Sequence, residues 1–217
     1  MHAKLVIPAI MLLAVLSVVL PLLVLENVYI TFILYYGIMS ILVPFLDLKI
    51  ASKLSWQTFL NQLGFRNNRG LKVGFLHGIA LYILILASYF VLRSVVDTSS
   101  VLSTVASWGG TNKILVFFLV ILFNGFVEEL FWRGYCLGRI GMKWSSVVIV
   151  TLFYASYHFA TIFSFFGITG FSVILVFSIA AAGLLWGWMR MHYNSSWPST
   201  IGHVLATAGY MTVFILL

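Results

Sequence analysis

The chain has 217 residues, of which 62% are apolar and 8% are charged, whereas soluble domains average about 45–50% and about 25%. This composition excludes a soluble domain of any size, because no segment carries enough polar side chains to cover one. The net charge is +7, but the basic residues lie in short loops beside apolar spans. Membrane topology accounts for that placement better than nucleic-acid binding does. We therefore predict a membrane protein without a nucleic-acid partner.

The apolar segments predict how often the chain crosses the membrane. A bilayer core about 30 Å thick needs about 20 apolar residues per helix. On that rule the sequence predicts an all-α, polytopic membrane bundle of about seven transmembrane helices, folded as a single domain over 1–217. The predicted spans are 5–25, 28–46, 71–96, 114–138, 145–165, 168–189 and 198–217.

The charged residues between the spans predict the orientation. Basic loops alternate along the chain with neutral or acidic ones, and the most basic loop follows the second span. The positive-inside rule then places the N-terminus in the cytoplasm and the C-terminus outside, in the cell membrane. The weakest boundary is the short turn at Gly167 and Gly170, without which the C-terminus would change sides.

One connection, residues 47–70, is long enough to hold structure of its own. Apolar residues recur in it at roughly helical spacing between polar ones: Leu54, Trp56, Phe59, Leu60 and Leu63. This pattern predicts an amphipathic helix that rests on the cytoplasmic leaflet. A dock for a specific lipid or substrate is the alternative interpretation.

Three charged residues lie inside the fourth predicted span: Glu128, Glu129 and Arg133. Each charge near the bilayer centre costs about 2.5–3.5 kcal/mol, so the three require a reason. Arg133 follows Glu129 by four residues on the same helix face, which predicts an ion pair. Glu128 is rotated by about 100° from Glu129, so its partner must come from another span.

Two histidines of later spans are candidate partners for Glu128. His158 lies in the fifth span and His203 in the seventh, and by residue count the three depths agree within about 10 Å. A carboxylate with two imidazoles suits water activation, in which one imidazole holds the water and the other stabilises an oxyanion. Glu128, His158 and His203 are equally suitable zinc ligands, with Glu129 as the base. A purely structural role, with each histidine bonded to a backbone carbonyl, is the third possibility.

The order of these motifs resembles the CPBP family of intramembrane proteases, which includes the type II CAAX prenyl endopeptidases and the bacterial Abi proteins. The motifs are Glu128-Glu129-x-x-x-Arg133-Gly134, then Tyr154-x-x-x-His158, then Ser196-Trp197-Pro198 leading to His203. The resemblance covers roughly residues 60–210, which we take as the catalytic core.

The resemblance implies a role for each matching residue. Glu128 would be the general base that activates water beside His158, and His203 would stabilise the oxyanion. Glu129 and Arg133 would hold the geometry. The family usually carries asparagine or aspartate four residues after the last histidine, whereas this chain has Thr207. A threonine hydroxyl has a shorter reach, and the loss of an oxyanion donor costs about 3–4 kcal/mol.

These inferences predict an intramembrane endopeptidase that hydrolyses a peptide bond near the cytoplasmic face. Its expected partners are membrane lipid and a peptide or protein substrate, such as a prenylated C-terminus or a bacteriocin precursor. The alternatives are a proteolytically weak scaffold or bacteriocin immunity protein, which Thr207 favours, and a transporter that uses Glu128 as its proton carrier. No cofactor is certain from the sequence, and zinc is the one candidate.

Overall fold

The computed structural model describes residues 3–93, 99–107 and 112–216. These residues form helices and contain no strand, which confirms the all-α prediction. Asp97 and residues 94–96, the end of the predicted third span, lie outside the described residues, as does residue 217 at the end of the last span.

We number the helices of the described residues from α1 to α9. They are α1 (Ala3–Leu23), α2 (Val28–Ala51), α3 (Trp56–Gln62), α4 (Leu71–Leu92), α5 (Ser99–Ser107), α6 (113–140), α7 (Trp144–Phe166), α8 (Gly170–Tyr193) and α9 (Trp197–Leu216).

Six of these helices are long and apolar enough to cross a membrane: α1, α2, α4, α7, α8 and α9. The predicted fourth span, 114–138, lies within α6, which is continuous in helical conformation from 113 to 140. The second helix continues to Ala51, beyond the predicted end at 46. Helix α5 was not predicted, and it packs against α7. The side of the membrane on which each terminus lies stays a prediction.

Helices α2 and α6 contain π-helical segments, in which the backbone hydrogen bonds skip one more residue than in an α-helix. In α6 these segments are Phe123–Val127 and Leu130–Cys136, and Glu128 and Glu129 form the short α-helical step between them. Such segments are rare and occur frequently at functional sites. The backbone of α6 is therefore irregular at the point where the two carboxylates lie.

Helix packing brings the late helices around α6. Helix α9 packs along α4 and against α6 and α8, while α7 packs against α8 and α1. The close approach depends on glycine at two places. A Cβ atom on Gly125 would lie 2.4 Å from Val204 Cγ2 of α9, and one on Gly183 would lie 2.9 Å from Thr151 Cγ2 of α7. The glycines let backbones meet where a larger side chain would hold them apart.

The connection 47–70 contains the predicted helix as α3. Ser55 caps it, because the Thr58 amide donates to Ser55 Oγ at 3.2 Å. Phe59 is buried while Trp56 is exposed, so the helix is amphipathic as expected. Beyond its end, Ser196 Oγ donates a hydrogen bond to Leu63 O at 2.6 Å, which fixes the connection against the start of α9.

Candidate active site

The predicted ion pair between Glu129 and Arg133 is present and buried. Arg133 Nη1 lies 2.8 Å from Glu129 Oε1, and both side chains are shielded from solvent. Arg133 Nη2 donates to Gly183 O at 3.2 Å. The guanidinium carbon lies 4.3 Å from the ring centroid of Tyr154, a cation–π distance. Glu129 thus has a charge partner on its own helix that α7 and α8 hold in place.

Glu129 also binds His203 of α9. His203 Nδ1 lies 3.1 Å from Glu129 Oε1, and the His203 ring stacks on Trp186 with centroids 4.2 Å apart. Since an ionised carboxylate only accepts hydrogen bonds, Nδ1 carries the proton in this contact. Glu129 therefore sets the tautomer and the orientation of the His203 ring, and it leaves Nε2 free to face another group.

The free side of His203 faces Glu128. Glu128 Oε2 lies 3.9 Å from His203 Nε2 and has no hydrogen-bond partner among the described residues. Tyr154 Oη lies 3.5 Å from the same nitrogen. Glu128 is completely buried. The structure thus joins two carboxylates through one imidazole, and we call Glu128, Glu129, Arg133 and His203 the carboxylate–histidine cluster.

Tyr36 of α2 completes the surroundings of Glu128, and sequence reasoning missed it. Its hydroxyl lies 2.8 Å from Asn124 Oδ1 and 3.3 Å from Glu128 Oε1. Asn124 Nδ2 in turn donates to the Tyr210 hydroxyl. The polar Asn124 in an apolar span was an available signal for such a network. Nothing in the sequence pairs Tyr36 with Glu128, which lies 92 positions later in the chain.

His158 lies beside the cluster but does not contact Glu128 in the described structure. It is partly buried, and its Nδ1 lies 2.9 Å from Tyr154 O. Its ring packs on Tyr157 and Tyr154, with centroid distances of 4.2 Å and 4.8 Å. Because Nδ1 donates to a backbone carbonyl, Nε2 is the nitrogen left to accept a proton. Both predicted histidines therefore lie beside Tyr154. Of the two, only His203 contacts the carboxylates directly.

Thr207 lies one turn after His203 on α9. Its side chain is buried, and Oγ1 lies near the Tyr210 hydroxyl without reaching hydrogen-bonding geometry to any described residue. The residue therefore points a hydroxyl without a partner into the interior beside the cluster. That position matches the supporting role that the resemblance implies for it, and the role stays a prediction.

The geometry does not fit a preformed zinc site. Among the described residues, no group of three or more His, Cys, Asp and Glu side chains is placed to hold a metal ion. His203 Nδ1 is engaged by Glu129, and His158 Nδ1 by the Tyr154 carbonyl. The two Nε2 atoms, Glu128 and Glu129 Oε2 remain as ligand atoms, and they do not come together as a group of three that could hold a metal ion among the described residues.

The same motifs carry the comparison with known proteins. Residues 110–209 match the family model described as type II CAAX prenyl endopeptidase Rce1-like. Neither the curated proteins nor the solved structures contain a match to the chain. The matched segment contains all six predicted site residues: Glu128, Glu129, Arg133, His158, His203 and Thr207. This match covers less than half of the chain, and it supports the resemblance of the segment 110–209 to the type II CAAX prenyl endopeptidases, a family of proteases.

Proposed function

We propose that the protein is an intramembrane endopeptidase that hydrolyses a peptide bond with water activated by Glu128. The observation that supports this function best is the contact of His203 with both carboxylates, at 3.1 Å from Glu129 and 3.9 Å from Glu128. A glutamate without a hydrogen-bond partner on one oxygen, facing an oriented imidazole in a buried site, is suited to general-base chemistry.

The reaction divides among the residues as follows. Glu128 takes a proton from water while the water oxygen bonds to the carbonyl carbon and the carbonyl electron pair moves to its oxygen. His158 Nε2 holds that water from the other side. His203 stabilises the oxyanion by donating from Nε2, for which the ring carries a proton on both nitrogens while Glu129 accepts from Nδ1. Glu128 then returns its proton to the leaving nitrogen as the C–N bond breaks.

Glu129 and Arg133 act as positioning residues in this proposal. Glu129 fixes His203 Nδ1, and Arg133 balances the charge of Glu129 at 2.8 Å. Because these side chains are buried, the preorganised hydrogen bonds are worth more there than in water. The residues that touch the reacting atoms are therefore Glu128, His158 and His203.

We place the reaction in a multi-pass protein of the cell membrane, near the cytoplasmic face, with the N-terminus in the cytoplasm and the C-terminus outside. The alternation of basic and neutral loops supports this orientation. The substrate is a peptide or protein segment that enters between helices. The family description includes prenylated CAAX substrates, so a peptide with a prenylated C-terminus is the first substrate to test, and a bacteriocin precursor is the second.

The Glu128→Gln variant tests the function directly. We expect it to lower peptide cleavage by about 10²–10⁴-fold, since the amide cannot accept the water proton. The matched control is Glu26→Gln, which makes the same change at an exposed position between α1 and α2. Both variants should elute as the wild type does in size-exclusion chromatography. Full cleavage by Glu128→Gln would rule out Glu128 as the base.

The role of zinc is decided by the same assay. Metal content of the purified protein is measured, and cleavage is compared before and after chelation and after zinc is restored. We expect cleavage to survive chelation, because the described side chains do not form a three-ligand site. Loss on chelation with recovery on zinc would replace the metal-free mechanism with the zinc alternative.

A second candidate function is a membrane scaffold or immunity protein with weak proteolysis. Thr207 favours it, because the shorter side chain leaves the oxyanion site without the amide or carboxyl group usual in the family. The two functions separate in cells: a scaffold keeps its cellular activity in the Glu128→Gln variant, whereas an endopeptidase loses it.

A further inference from the structure

A second buried arginine, Arg190 of α8, has no role in the proposed reaction. Its guanidinium donates to Gln62 O at 3.0 Å, to Asn194 Oδ1 at 3.2 Å and to Arg133 O at 3.3 Å. All three acceptors are neutral, and no ion pair to Arg190 forms among the described residues. Buried charges are normally paired. Arg190 therefore contributes a positive charge that no described carboxylate balances.

Arg190 borders a cavity of about 260 Å³ with both polar and apolar lining, which we call the Arg190 cavity. Residues of α2, α3, α6 and α8 line it, and its polar members include Asn61, Gln62, Tyr135 and Arg139. None of the six predicted site residues lines it. The side chains that do line it supply hydrogen-bond donors and positive charge, so an anion is the complementary ligand.

The nearest acidic group is already paired. Asp47 accepts a hydrogen bond from Tyr135 at 2.9 Å and lies 3.1 Å from Arg139 Nε. It therefore balances Arg139 and leaves Arg190 as the uncompensated charge of the cavity. The residues that line the Arg190 cavity thus keep a net positive charge, from Arg190, after the ion pair of Arg139 with Asp47 is counted.

The structure contains a second, mostly apolar cavity of about 570 Å³. It lies between α1 and α2, and it is lined by Val6, Ile10, Val43 and Leu46 among others. Tyr135 and Arg139 line both cavities. The Arg190 cavity, with its unbalanced charge, thus shares two lining residues with a mostly apolar cavity, where Val6 of α1 and Leu46 of α2 are exposed.

We propose that these two cavities bind one anionic phospholipid, with the headgroup phosphate in the Arg190 cavity and an acyl chain in the apolar cavity. Basic pockets between transmembrane helices on the cytoplasmic side are suited to anionic headgroups. Asn61 and Gln62 belong to the connection 47–70, which the sequence predicts at the cytoplasmic leaflet. The headgroup would therefore occupy the depth at which lipid phosphates lie. This site is separate from the proposed peptidase chemistry.

The proposal is tested by native mass spectrometry of the full chain, after incubation with vesicles of equal parts dioleoyl phosphatidylglycerol and dioleoyl phosphatidylcholine. We expect the protein to retain phosphatidylglycerol about fivefold more than phosphatidylcholine, the preference that one basic residue near a membrane surface provides. Asn61→Asp places a carboxylate in the wall of the cavity at an exposed position, so it should remove the preference without disturbing the fold. Asn68→Asp, an equal change on an exposed residue outside the cavity, should keep it.

Several results would overturn the proposal. Equal retention of the two lipids by the wild type would remove the charge preference, and an unchanged preference in Asn61→Asp would place the lipid elsewhere. Inorganic phosphate alone is the remaining probe. If millimolar phosphate binds in place of the lipid and abolishes its retention, the cavity is a site for free anions and the lipid assignment is wrong. Retention that phosphate leaves unchanged supports a lipid held by both cavities.

Discussion

Arg133 and Arg190 are both buried, and Arg190 Nε donates to the backbone carbonyl of Arg133 at 3.3 Å, yet their surroundings differ. Arg133 has a carboxylate at 2.8 Å and an aromatic ring beneath it. Arg190 has only amide and carbonyl oxygens. The difference shows that two buried arginines can be distinguished by whether a carboxylate of the protein balances their charge. The charge of Arg133 is balanced by Glu129 within the protein, whereas the charge of Arg190 is left for a ligand.

The largest expected effect is on the free energy of unfolding, which replacement of Arg133 should lower more than replacement of Arg190. Arg133→Met leaves Glu129 as a buried carboxylate without its cation, and breaking a buried pair in this way costs about 3–5 kcal/mol. Arg190→Met removes charge-assisted hydrogen bonds to neutral acceptors and strands no charge, so we expect about 1.5–3 kcal/mol. Unfolding in detergent, followed by tryptophan fluorescence against denaturant, measures both.

A matched control is Arg139→Met, which removes an arginine from the partly exposed pair with Asp47. Such pairs are worth about 0–1 kcal/mol, so this variant should unfold close to the wild type. If Arg133→Met and Arg190→Met cost the same, the contrast drawn between the two surroundings is wrong. Partial recovery of stability in the double variant Arg133→Met, Glu129→Gln would confirm that the stranded carboxylate causes the loss.

The contrast also separates what the sequence predicts from what it does not. The Glu129–Arg133 pair follows from a spacing of four on one helix, and helix geometry fixes it locally. Arg190 follows no such rule. A count of loop charges places it at the end of a span in the cytoplasmic loop, but its side chain turns inward to bind Gln62, which lies 128 positions away. Contacts at that separation depend on how helices pack, and one sequence does not encode them in a readable pattern.

Within the site, sequence reasoning was strongest for Glu129 and Arg133, which share a motif and form the expected ion pair. Glu128 and His203 belong to different motifs and lie 3.9 Å apart, each a polar group in an apolar span that needs a partner. The π-helical segments beside Glu128 were not foreseen, because no local signal in Leu130–Cys136 distinguishes them from an α-helix. Tyr36 was missed for a different reason: a tyrosine in an apolar span is typical of packing as well as of hydrogen bonding.

The next largest effect tests whether the cluster depends on that missed residue. Tyr36→Phe removes the hydroxyl between Asn124 and Glu128 and leaves a buried acceptor without its donor, at a cost of about 1–3 kcal/mol. We expect cleavage to fall about tenfold, equivalent to about 1.4 kcal/mol in the barrier, because Glu128 loses the contact that orients Oε1. Steady-state kinetics with a fluorogenic peptide measures the change.

Tyr89→Phe on α4 is the matched control, because it removes a tyrosine hydroxyl at a partly buried position that makes no contact with Glu128. The control should cleave at the wild-type rate. A Tyr36→Phe variant that loses stability but keeps full kcat would make Tyr36 a packing residue only, and the site would then be set by Glu129, Arg133 and His203 alone.

The smallest expected effect concerns Thr207, the one site residue that departs from the family pattern. An oxyanion donor is worth about 10²–10³ in kcat. The resemblance implies a donor role at position 207, where an asparagine amide reaches further than the threonine hydroxyl, so Thr207→Asn should raise kcat by about tenfold or less and leave KM unchanged. Thr207→Val keeps the shape and removes the hydroxyl, so it should lower kcat. The pair of variants separates donor strength from packing, because the two substitutions both keep the side chain near its present size. If Thr207→Asn and Thr207→Val lower kcat alike, Thr207 contributes by its packing in the buried interior beside His203. In that case His203 stabilises the oxyanion without a donor from position 207.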